Sequence, residues 1–186
     1  MRKLALGAMA LLLATVPAKA QEDYEGCKDH PLFTRFPNSY IVDCASSQFD
    51  LRKFPVGQMK PGEEVLRSVE VEGPTWRVNF QIKEGTTPPS GLQLMRNFEA
   101  AAKKAGGTIE GQWPGWCKAS YDTEGMPDMG NSCTSFGLTM KFVKEGKETW
   151  VFVQAHDADG SYLLTVSERA AMKQAATAYV AEVKSG

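Results

Sequence analysis

Two histidines, two aspartates beside a glycine and a knot of tryptophans are the residues whose types could carry chemistry. His30 closes a C-x-x-H spacing with Cys27 and precedes Pro31, while His156 stands next to Asp157. Either imidazole could exchange protons near neutral pH with a nearby acid, the chemistry of a small secreted hydrolase. Cys27 and His30 alone do not make a metal site, because no second C-x-x-C or H-x-x-H pair accompanies them. Asp157 and Asp159-Gly160 echo part of a calcium loop but the later ligands are missing, so no metal and no cofactor is implied. The chain also lacks G-x-S-x-G, H-E-x-x-H, a P-loop and a G-x-G-x-x-G turn. Trp113-Pro114-Gly115-Trp116, followed by Cys117 and Tyr121, places amphipathic rings in irregular chain. Such rings suit a glycan or a protein groove, since they supply area at little entropic cost, and they would equally serve to cap a core beneath the loop.

These groups belong to an exported chain. Arg2 and Lys3, an apolar run from Leu4 to Val16 and Ala18-Lys19-Ala20 before Gln21 have the form of a secretory signal peptide over residues 1–20. The run is too short to span a bilayer, and nothing later is apolar enough, so no transmembrane span is expected in the mature chain. Residues 21–186 then make a single exported domain, periplasmic or secreted. The whole chain has a formal charge of −1 and the leader holds three of its cations, so the mature part is more acidic still. Without a basic run or stripe, nucleic acid is a poor partner.

An even count of four cysteines in an oxidising compartment predicts two disulfides. Cys27–Cys44 and Cys117–Cys133 are favoured because each closes a short loop of aperiodic chain.

Apolar period supplies the elements that must position the candidates. Trp76, Val78, Phe80 and Ile82 alternate as a strand, with Val65–Val71 before it and Glu72-Gly73-Pro74 as a hairpin turn. Leu138, Met140 and Phe142, then Thr149–Ala155, then Tyr162–Val166 form a three-stranded meander through Glu145-Gly146 and Asp159-Gly160. Tyr40–Val42 and Phe49–Phe54 are weaker strands. One helix follows Pro88-Pro89-Ser90, carries Leu94, Phe98, Ala101 and Ala105 on one face and ends at Gly106-Gly107; a second starts at Ser167 as N-cap, with Met172, Ala176, Tyr179, Val180 and Val183 as its stripe. Trp113 to Phe136 reads as a disulfide-tied loop with a short strand at its start. The expected fold is α+β, an antiparallel sheet covered by two amphipathic helices. A faint echo between Glu72–Gln81 and Glu145–Gln154 admits a duplicated strand–strand–helix unit.

Lys28–Pro37, Phe49-Asp50, Met95–Gly106 and Tyr162–Met172, in that order, resemble the N-terminal region of certain exported outer-membrane protein A (OmpA) family proteins. In that family the region precedes a peptidoglycan-binding C-terminal domain, so the resemblance implies an envelope module without catalytic residues. Asp157, Asp159-Gly160-Ser161 and Ser167–Ala170 also resemble the stretch with which that second domain grips the diaminopimelate of the wall peptide. Asp157, Asp159 and Arg169 would then hold a zwitterion by charge-assisted hydrogen bonds. The spacing from Gly160 to Arg169 is about two residues short, the usual asparagine is missing, and Asp-Gly before a strand also reads as an ordinary turn. The sequence thus points to a non-catalytic periplasmic or cell-envelope binding module. Trp113, Trp116, Tyr121, Asp157, Asp159 and Arg169 are its candidate contacts, and peptidoglycan or an outer-membrane protein its candidate partner. The alternative is a small enzyme using His30 or His156.

Overall fold

The structure, a computed structural model, describes residues 21–57, 67–116 and 135–169. Six strands and one helix follow in the order β1 (Ser39–Pro55), β2 (Ser68–Ile82), α1 (Gly91–Lys104), β3 (Thr108–Trp116), β4 (Ser135–Lys144), β5 (Lys147–Ala155) and β6 (Tyr162–Glu168). The strands make one antiparallel sheet in the order β1-β2-β6-β5-β4-β3. Beyond β1, Gly57 bridges Gly111 of β3 and donates its N–H to the Glu110 carbonyl at 2.6 Å. The two ends of the strand order therefore meet at one corner, and the sheet curls.

The expectation of an α+β sheet covered by two helices is corrected here: this is a predominantly β fold with one helix among the described residues. Ser167, expected to cap a second helix, is a fully buried residue of β6, paired with Thr75 on one side and Trp150 on the other. The remainder of that helix, 170–186, lies outside the described residues. Glu72-Gly73-Pro74 is not a turn either, for β2 runs through it unbroken. Proline lacks an N–H for the ladder and is tolerated at an irregularity. Here Pro74 faces the slip between Ser47 and Asp50 of β1, and pairing with β6 begins only at Thr75. The two weak strands flanking Cys44 are one strand, β1. Glu145-Gly146, by contrast, is a true two-residue hairpin with both residues at positive φ, as a type I′ turn requires. With one echo extended and the other turned, the two segments do not match as strand–turn–strand units among the described residues.

α1 forms as its punctuation predicts. Ser90 accepts from the Gln93 N–H, and Gly106 at φ 80 lets the Gly107 N–H return to the Ala102 carbonyl at 2.8 Å in a Schellman close. Its buried face is Leu94, Met95, Phe98 and Ala102, rotated from the expected stripe so that Ala101 and Ala105 are exposed.

Register divides the sheet into two faces. The near face carries Ile41, Val78, Phe80, Leu138, Met140, Val151, Val153, Tyr162, Leu164 and Val166, packed with α1. The far face gathers Phe54, Val71, Trp113, Trp150 and Phe152. What covers the near face beside α1 is residues 21–38, a strap without regular structure. Leu32, Phe33 and Phe36 pack on the core, and Phe33 meets both Phe98 and Phe142 edge-on at 5.7 Å. The Cys27–Cys44 disulfide ties the strap to β1, as expected; Cys117 and Cys133 lie outside the described residues. Arg35 fixes it further by hydrogen bonds to Asp23 and Asp29, while Asp23 also accepts the Ile41 N–H at 2.9 Å. The paired guanidinium holds the Asp23 carboxyl below the usual carboxylate range.

Candidate functional site: the groove under the strap

The strap does not lie flush everywhere. Between its first turn and the β1–β2 ladder it leaves a groove of about 280 Å³, walled by Lys28, Asp29 and His30 on one side and by Cys44, Ser46 and Trp76 on the other. Cys44 and Ser46 alternate onto the near face, and register sets Ser46 opposite Trp76. The disulfide delivers Lys28, Asp29 and His30 from the strap to the same place. His30 is 8% exposed and meets Trp76 edge-on at 4.9 Å. Its Nδ1 accepts the Leu32 N–H at 3.3 Å, so Nε2 carries the proton of the neutral ring and is the atom left to act on a ligand. Burial pushes the imidazole below its ordinary value, against a smaller opposing pull from Glu168. Lys28 is exposed and makes no ion pair or hydrogen bond among the described residues. Asp29 is committed to Arg35, which donates to both its carboxylate oxygens. Arg77, also in the lining, is paired with Asp43 at 3.0 Å, so the groove presents N–H and O–H donors beside an indole, and its one acid, Asp29, is already neutralised.

A larger hollow of about 590 Å³ lies between the strap and α1, where Phe33, Phe36, Phe98, Ala101 and Ala105 wall it. Thr34, Asn97 and Lys104 also line it, while Arg35 is spent on its two aspartates.

The residues singled out from sequence are dispersed. Trp113 is buried on the far face beside Phe152. Trp116 ends β3 opposite Ser135, and Tyr121 lies outside the described residues. Asp157 accepts the Gly91 N–H at 2.9 Å and so helps cap α1, and Gly160 at φ 68 packs that turn against Pro88 and Pro89. Asp159 accepts the Ser161 N–H, a local turn bond. Arg169 is paired with Glu148 at 2.8 Å. Asp159 and Arg169 flank the whole of β6, whose seven residues extend about 20 Å, so they cannot hold one amino-acid zwitterion between them. Cys27, spent in the disulfide, removes the sulfur from the C-x-x-H pair. Among the described residues no hydrogen bond joins His30 to a hydroxyl or carboxylate. His156 lies beyond the Ala155–Tyr162 pair, at least four strand residues, roughly 13 Å, from the Trp76–Val166 pair beside His30.

Lys28, Ser46 and Trp76 are the groove residues that sequence reasoning passed over as site candidates. The signal that could have found them was the Cys27–Cys44 pairing, which implies that residues just after Cys27 meet those just after Cys44. No family model matches the chain, and no curated protein matches it.

Proposed function

We propose that the chain is an exported, non-catalytic binding module of the bacterial cell envelope, periplasmic or secreted, whose partner is the wall polymer or an outer-membrane component. The single observation that carries this reading is the groove under the strap: a hollow of ligand size with an indole, an ammonium that has no partner among the described residues, and further donors. The resemblance of the strap, α1 and β6 to the N-terminal region of exported OmpA-family proteins supports the same compartment. Enzyme chemistry has less to support it, because His30 has its Nδ1 engaged by backbone and, among the described residues, no hydrogen bond joins it to a nucleophile.

The test is co-sedimentation of the disulfide-intact mature protein with purified peptidoglycan sacculi and with outer-membrane fragments, followed by mass spectrometry of the ligand. The reading expects saturable binding to one fraction and chemically unchanged ligand. Binding to neither, or release of cleaved product that stops in a His30→Asn variant, would overturn it.

A further inference from the structure

Resting on the binding reading above, the geometry points to the class of ligand: we infer that the groove takes one acidic sugar residue, its carboxylate held by Lys28 and the Nε2–H of His30 and its ring laid on Trp76. The groove's charges lead there. Its carboxylate, Asp29, is closed off by Arg35, and Lys28 is left as a cation with no partner among the described residues. His30, more than nine-tenths buried, has spent its acceptor on the Leu32 N–H and can only donate. A neutral ligand would leave Lys28 unused, and a second cation would be repelled by it. A phosphate is usually met by a guanidinium fork or a nest of backbone N–H groups. Arg35 on the strap is spent on Asp23 and Asp29, and Arg77, which lines the groove, is paired with Asp43 at 3.0 Å. Lys28 is therefore the groove cation without a partner among the described residues, and with neutral donors beside it that matches a single carboxylate.

The indole and the size supply the rest. Trp76 is only half-buried, so part of an amphipathic ring faces the opening, and Ser46 beside it offers a hydroxyl to a sugar hydroxyl. A volume of about 280 Å³ falls just below the range of drug-sized pockets, which suits one ring and not a chain of them.

The experiment is isothermal titration of the disulfide-intact mature protein with N-acetylmuramic acid, glucuronic acid and neutral N-acetylglucosamine, repeated with Lys28→Ala. Lys28 is exposed, so the variant should fold, which an unchanged melting temperature verifies. The inference expects the two acids to bind about tenfold or more tightly than the neutral sugar, and Lys28→Ala to erase that difference. Raised salt should weaken the acids alone. Equal affinity for acid and neutral sugars, or acid binding untouched by Lys28→Ala, overturns the ligand class while leaving the envelope-binding reading standing. If no sugar binds and sacculi and outer-membrane fragments are also ignored, both fall.

Discussion

The two faces of the sheet bury polar groups in opposite ways. On the near face the Tyr162 hydroxyl lies between the Phe36 N–H and Ser39 Oγ, each at 3.0 Å, and Ser39 Oγ reaches the Phe36 carbonyl at 2.6 Å. Asp23 reaches into the same seam to take the Ile41 N–H. On the far face Thr75, Thr139, Thr165 and Ser167 are almost wholly buried, and their hydroxyls have no hydrogen-bond partner among the described residues. Register makes that a cluster: Thr75 opposes Ser167, and Thr165 and Thr139 flank Phe152 on its two sides. A buried hydroxyl without a partner loses water and gains nothing, whereas one in a network fixes the position of what it touches. The near-face network is thus what places an irregular strap, and with it the groove.

The largest effect should come from cutting the strap loose. Replacing Cys27 and Cys44 together by serine should cost about 2–5 kcal/mol in urea unfolding, since the bond closes a short loop and anchors the near-face cover. A loss under about 1 kcal/mol would mean that packing and the Arg35 contacts hold the strap unaided.

On the far face the sensitive point is the closed corner. A Cβ on Gly111 would stand 2.1 Å from the Trp113 ring and 3.0 Å from the Gly57 carbonyl. Gly111→Ala should therefore cost about 1–3 kcal/mol as the indole or the corner gives way. A neutral result would show that the edges need not meet there.

Acidity should discriminate between the faces too. The folded-state value of His30 is depressed by burial, so below about pH 6.5 the unfolded chain takes up a proton that the folded one refuses. Stability from this group is complete above that pH and falls as the pH drops below it. The slope should flatten in His30→Asn, as read from melting temperatures between pH 5 and 7.

The finest comparison pairs two small substitutions. Ser39→Ala breaks a satisfied near-face network and should cost about 1 kcal/mol, while Thr165→Val removes an unpartnered hydroxyl of the same shape and should leave stability unchanged or slightly raised. Equal losses in the two variants would erase the distinction drawn between the faces.

Legibility in the sequence followed the range of the forces involved. α1 was readable because Ser90, the two prolines before it and Gly106 act within a turn of the helix. The β4–β5–β6 meander was readable because its turns join consecutive strands. Glu72-Gly73-Pro74 misled because the feature that admits a proline there is a slip in β1, some twenty-five residues earlier. Ser167 misled because a strand buried on both faces can end on the same Ser-Glu pair that opens a helix. The strap was invisible to any search for period: Leu32, Phe33 and Phe36 are a cover without repeat, ordered by one disulfide and one arginine. Asp157 and Arg169 drew attention as charged residues near turns, yet one caps a helix and the other pairs with Glu148. The groove was half legible, since the cysteine pairing was expected but the company it brings to Trp76 was not drawn from it.

The most direct test of the account is amide and indole chemical-shift mapping of the isotopically labelled mature protein titrated with soluble wall fragments. The account predicts perturbations concentrated at Lys28, His30, Ser46 and the Trp76 indole, with Asp157, Asp159 and Arg169 undisturbed. Shifts confined to Asp157–Arg169 and the Trp113 indole, with Trp76 silent, would contradict it.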